Sequence, residues 1–192
     1  MKPDRLNAFT DGVIAIVITI MVLEMRVPDG TTLAALRPVL PIFAAYALSF
    51  FYVGIYWNNH HHMMQSARRV DGRVLWSNLF LLFWISLFPF VIRWVDERGI
   101  TSFPVAAFGV VLFMAAIAYF VLERALIAAE GDDSAIARAV GSSLKEWLSL
   151  VCYASGVGAA FVLSPYISVA LYVAVAIMWL IPDRRFERRL QH

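Results

Sequence analysis

Ile16, Thr19, Ile20 and Leu23 recur at i, i+3, i+4 and i+7, the interval of one helical face. An apolar stripe of this kind ordinarily packs a helix against its neighbours. The hydroxyl of Thr19, in its middle, gives it a second chemistry. Copies of Thr19 around an axis would offer oxygens to a dehydrated cation, and rings of Ile and Leu would narrow or dewet a pore. One chain cannot make a ring, so that reading requires an oligomer with this helix at the axis. Upstream stand Arg5, Thr10 and Asp11. Asp11 could pair with Arg5 from the preceding turn, or serve as a carboxylate favoured near a helix N-terminus by the macrodipole. The triple His60-His61-His62 invites a metal, but consecutive helical residues point about 100° apart, and chelating pairs sit at i and i+4. No carboxylate lies four residues from any of the three. The histidines read as polar contacts near a membrane surface, and no metal is expected.

The later apolar runs hold serines and Asn78 but nothing ionisable near their middle. A proton-coupled transporter needs a titrating relay there, and an intramembrane hydrolase needs an Asp pair, a Ser/His set or a metal cluster. Neither constellation exists, so no enzyme is expected. Glu24 and Arg26 lie near the other end of the first run. Several copies of Glu24 could draw cations to a mouth, or the two residues could form a plain interfacial ion pair.

The elements that must position these residues follow from composition. Of 192 residues, 61% are hydrophobic and 16% charged, with a mean hydropathy of +0.72. Soluble domains run at about 45–50% apolar and about 25% charged, and too few polar residues are present to give every helix a wet face. A soluble globular protein, a disordered chain and a nucleic-acid-binding module are excluded. The formal net charge of +2 is too small to imply a polyanionic partner. The single cysteine, Cys152, lies in an apolar run and allows no internal disulfide. The first residues are too polar to open a signal peptide, so the first apolar run is read as retained.

A bilayer core of roughly 30 Å needs about 20 apolar residues in a helix. Six runs are long or apolar enough to be read as spans, at about 12–27, 39–61, 74–95, 103–122, 147–163 and 166–181. Pro28-Asp29-Gly30 stops the first, and Ser164-Pro165 forces the last two into a tight hairpin. No period-2 alternation is sustained, which rejects a β-barrel. The expected architecture is an all-α integral membrane protein, one domain over 1–192 with six transmembrane helices per subunit. Lys2, Arg5, Arg68, Arg69, Arg73, Arg124, Arg138, Lys145, Arg184, Arg185, Arg188 and Arg189 fall on one side of such a topology. Arg26, Arg37, Arg93 and Arg98 fall on the other. Basic loops stay inside, so both termini are expected in the cytoplasm. The stretch Glu123 to Glu146 reads as a short amphipathic helix on the cytoplasmic surface. The tail Arg184-Arg185-Phe186-Glu187-Arg188-Arg189 either touches anionic lipid headgroups or simply anchors the last span.

Three short patterns go further. Arg5-x-x-x-Phe9-Thr10-Asp11, followed by Gly-Val-x-Ala-Ile16-x-x-Thr19, opens the first helix. Tyr56-Trp57-x-x-His60-His61 ends the second span, and Leu75-Trp76-x-Asn78-Leu79 opens the third. Together they resemble the signature of the potassium channels of the transmembrane protein 175 family, over about the first half of the chain. The resemblance implies a prokaryotic channel of the cell (inner) membrane, selective for potassium over sodium without the usual Thr-Val-Gly-Tyr-Gly filter. It implies a homotetramer whose first helices line the pore, in contact with membrane lipids, with no cofactor beyond the permeant K+ ions. Carried over, Ile16 would be the main hydrophobic constriction, Ile20 and Leu23 further rings toward the outside, and Thr19 the residue linked to selectivity. Arg5, Thr10 and Asp11 would form an inner polar network with His60 or His61, Trp76 and Asn78. Two departures stand out: Thr10 replaces the usual Ser, and Ile14 stands where many members have Phe. A proton-permeable leak channel and a non-conducting membrane scaffold are the competing expectations.

Overall fold

The structure, a computed structural model, describes residues 3–131 and 144–180. Among them every regular element is helical: α1 Pro3–Leu23, a 3-10 segment Leu33–Val39, α2 Leu40–Gln65, α3 Gly72–Ile85, α4 Phe88–Arg98, α5 Ser102–Glu130, α6 Leu144–Val162 and α7 Pro165–Leu180. Four stretches are long and apolar enough to cross a membrane: Pro3–Leu23, Leu33–Gln65, Gly72–Arg98 and Ser102–Glu130. α7 is apolar but has 16 described residues, about 24 Å of helix. α6 opens on Leu144, Lys145 and Glu146 before its apolar run begins.

The first helix starts nine residues ahead of its apolar run, with Pro3 at a position where a missing N–H costs nothing. It therefore carries Arg5, Thr10 and Asp11 on the same rod as Ile16 to Leu23. The third span is broken rather than continuous. Pro89 cannot donate to the carbonyl of Ile85, and its ring clashes there. The chain tightens through a Leu87 N–H bond to Trp84 O (3.2 Å) and restarts as α4. Gly99, at φ +71°, ends α4 in the left-handed region.

The surface helix expected over Glu123–Glu146 is corrected in part. Glu123 to Glu130 continue α5 without a break, and Leu144 to Glu146 open α6. The reason is local propensity, because Glu-Arg-Ala-Leu-Ile-Ala-Ala-Glu consists almost entirely of strong helix formers. Asp132, Asp133 and Arg138 of that stretch, Lys2, and the basic tail after Leu180 lie outside the described residues.

α5, α6 and α7 close on one another around Tyr172, which is fully buried. Its ring occupies the space that side chains at Gly109 and Gly156 would fill: an added Cβ would stand 2.0 Å from the Tyr172 hydroxyl at the first and 2.4 Å from its ring at the second. Small residues let helices approach this closely in a bilayer. Tyr52 of α2 joins the group, its hydroxyl donating to the Tyr172 carbonyl.

Candidate functional site

α1 has two faces of opposite fate. Leu6, Thr10, Ile14, Val17 and Met21 are buried against the chain's own helices. The other face holds Phe9 (52% exposed), Ile16 (59%), Ile20 (39%) and Leu23 (79%), with Thr19 also exposed. The stripe picked out by spacing thus faces outward and stays largely exposed among the described residues. Its neighbours Ile14, Val17 and Met21 supply the internal contact instead. The Thr19 hydroxyl donates to the Ile16 carbonyl one turn back (2.8 Å). That bond uses its hydrogen and leaves the oxygen lone pairs turned away from the helix.

On the buried face, Thr10 meets two helices at once. Asn78 Nδ2 of α3 donates to Thr10 Oγ1 (2.9 Å), and Asn78 Oδ1 faces His60 Nε2 of α2 at 2.9 Å. Because Oδ1 can only accept, His60 carries its hydrogen on Nε2. All three residues are at most 1% exposed. His60 Nδ1 has no hydrogen-bond partner.

The other candidates lie elsewhere. Asp11 accepts from the Trp57 indole N–H (2.8 Å), and the Trp57 ring stacks on His61 at 5.7 Å between centroids. His61 Nε2 also faces the Gln65 amide nitrogen at 2.8 Å. Arg5 and Asp11 form no ion pair among the described residues. Six residues apart on a helix, they point roughly 120° away from each other. Arg5 and Trp76 are exposed, Trp76 at 75%. Trp57 enters the sequence reading only as a place in the Tyr56-Trp57-x-x-His60-His61 pattern, although an indole N–H near a membrane surface needs an acceptor. Nothing in the sequence tells which acceptor on another helix it reaches. Among the described residues no group of three His, Cys, Asp or Glu side chains could hold a metal.

At the opposite end of α1, Glu24 pairs with Arg93 (3.3 Å) and Arg26 with Asp96 (2.9 Å), while Arg93 also holds Glu97 (3.0 Å). Glu24 and Arg26 therefore each find a partner on α4 rather than each other. The exposed stripe of α1 ends beside a patch of opposite charges, which fixes that end of α1 to α4.

Helices of this length and apolarity define a multi-pass membrane protein. The model of a family described as endosomal/lysosomal potassium channel TMEM175 matches residues 5–89. A protein of Chryseobacterium sp. (strain P1-3) named potassium channel is 49% identical over 191 residues, covering 100% of this chain and 99% of that one. The cow protein named endosomal/lysosomal proton channel TMEM175 is 29% identical over 150 residues, and the match spans 31% of its length. The crystal structure of a lysosomal potassium-selective channel TMEM175 homolog from Chamaesiphon minutus superposes with a TM-score of 0.80 at 24% identity, over 93% of this chain and 96% of that chain. This chain belongs to the TMEM175 family of ion channels, and it is not an enzyme.

Proposed function

We propose that this protein is a potassium-selective channel that conducts passively through an oligomeric pore lined by α1. Four copies, six spans each, surround the axis in a prokaryotic inner membrane, with both termini in the cytoplasm. Ile16, Ile20 and Leu23 form successive hydrophobic constrictions. Thr19 offers its oxygen to the permeant ion. The observation that carries this reading is the outward face of α1, where a regular apolar stripe with one hydroxyl stays exposed among the described residues. The potassium-channel name of the bacterial relative that matches over nearly its whole length supports the same ion. Thr10, Asn78 and His60 brace the inner half of α1 against α2 and α3, with Asp11 held by Trp57. Arg5 and Trp76, exposed in the single chain, complete the network on neighbouring copies, with His61 beside them.

Vertebrate relatives named proton channels favour one second reading, in which protons also permeate. The reversal potential in planar bilayers, with potassium on one side and sodium on the other, separates the two. A shift toward the potassium equilibrium potential is the expected result. A potential that instead follows an imposed pH gradient selects the proton reading. No current from folded, oligomeric protein would leave a membrane scaffold and end the channel reading.

A further inference from the structure

Among the described helical elements, the 3-10 segment Leu33–Val39 alone has no buried residue. Its sequence, Leu-Ala-Ala-Leu-Arg-Pro-Val, is nonetheless almost wholly apolar. A 3-10 turn takes three residues, so Leu33, Leu36 and Val39 share one face. Val39 packs against the core, while Leu33 is 86% exposed and Leu36 45% exposed. A face anchored at one end thus overhangs at the other. The exposed apolar surface runs on into α2 through Leu40 and Phe43. Arg37 is the one charged residue of the segment, and it forms no ion pair among the described residues.

The depth of this segment follows from α2. That helix turns polar at Asn58-Asn59-His60-His61-His62, and about 20 residues of helix cross the hydrocarbon. Counted back from Asn58, they end where the 3-10 segment joins α2. Leucines standing in water there would be unfavourable, whereas at the border of headgroups and acyl chains they meet lipid. A guanidinium at the same level meets phosphate, which it binds through two N–H groups at once. We propose that Leu33–Val39 is a lipid-binding segment in the leaflet away from the histidines. Leu33 and Leu36 lie among the upper acyl carbons, and Arg37 holds a phospholipid phosphate.

Charge favours lipid over a second copy of the chain as the occupant. A protein partner at this level would have to bring Arg37 a carboxylate. Glu24, Asp96 and Glu97 at this end are already engaged by Arg93 and Arg26. Asp29, the remaining acid there, forms no ion pair among the described residues. A phospholipid supplies both the acyl chains and the anion in one molecule. Seated this way, the segment sets the level at which α2 enters the membrane. The same helix carries Trp57 and His60, which reach Asp11 and Asn78. An effect of lipid on current rests on the channel reading; the lipid seat itself does not, and the two are measured apart.

The test uses the full-length protein in phospholipid nanodiscs, in a Cys152→Ala background, with a nitroxide on Leu33→Cys, Leu36→Cys or Thr31→Cys. Collision rates are measured with oxygen, which concentrates in hydrocarbon, and with a water-soluble nickel chelate. The labels at 33 and 36 should favour oxygen, and the label at 31 should favour nickel. Nickel favoured at both leucine positions puts the segment in water and overturns the proposal. Low rates with both reagents put it beneath a second copy of the chain and overturn it equally. Arg37→Gln should move the label at 36 toward nickel, and so should replacing the phospholipid by a galactolipid without phosphate. The lipid exchange should then add nothing in the Arg37→Gln variant. A label at 36 indifferent to both changes would overturn the phosphate contact. Leu33→Cys carries the same readout if Leu36→Cys does not fold.

Discussion

Asn78 is the residue on which two others depend. Its amide gives Thr10 a donor and His60 an acceptor, inside a site that water does not reach. Asn78→Ala leaves the His60 N–H and the Thr10 oxygen without partners, at about 1–3 kcal/mol, and thermal unfolding should show that loss. Asn78→Leu fills the space and still breaks both bonds, so equal destabilisation in the two variants would point to the bonds rather than the cavity. On the outward face the expectation has the other sign. Ile16→Asn replaces an exposed apolar side chain with a polar one and should leave folding nearly unchanged while raising the leak current. Currents identical to wild type would remove Ile16 from the proposed constriction. Thr10, His60 and Asn78 were readable as candidates from short motifs, because each motif keeps its polar residue at a fixed place. That they touch was not readable, since residues 10, 60 and 78 come from three helices.

At the scale of the helices, Tyr172 and its two glycines give a prediction with an internal control. Gly109→Ala places a methyl against the Tyr172 hydroxyl, whereas Gly156→Ala places it against the ring. Overpacking at either position costs about 1–3 kcal/mol. Tyr172→Phe should restore part of the loss in Gly109→Ala and little of it in Gly156→Ala, as read from melting temperatures of the double variants. The positions of the glycines are plain in the sequence, but their shared partner is not, because Tyr172 reaches them from a third helix. The break between α3 and α4 was likewise present as Pro89, yet the hydrophobic run across it is uninterrupted. Hydropathy averages over a window and cannot register one missing hydrogen bond. The extent of α5 escaped for the same reason. Its 29 residues make about 43 Å of helix, beyond the roughly 30 Å of hydrocarbon, and its polar end reads as surface when only apolarity is scored.

For the whole molecule, the charges at the two ends of the bundle have different work. Where α1 meets α4, Arg93 stands between Glu24 and Glu97. Arg93→Glu puts three acidic groups together and should change the current, while Glu24→Arg combined with Arg93→Glu should restore it. Recovery in the double variant at low salt, fading at high salt, would identify the pair as the cause. At the other end the basic loops carry the proposed orientation, with that side in the cytoplasm. In a Cys152→Ala background, a cysteine at Ser66 should react with a membrane-impermeant thiol reagent added from the cytoplasmic side, and one at Thr31 with reagent added outside. The reverse pattern would invert the topology.

The membrane class, the helical class and the family were all determined by the sequence itself. Apolar run length, the absence of an alternating pattern and three short motifs are one-dimensional properties, and each is written in consecutive residues. The tertiary structure decided which face of α1 is spent inside the chain and which is left outside. It paired Asp11 with Trp57 instead of Arg5, and Glu24 with Arg93 instead of Arg26. Each of these turns on which groups from different helices come within about 3 Å, and helix packing sets that distance, not spacing along the chain.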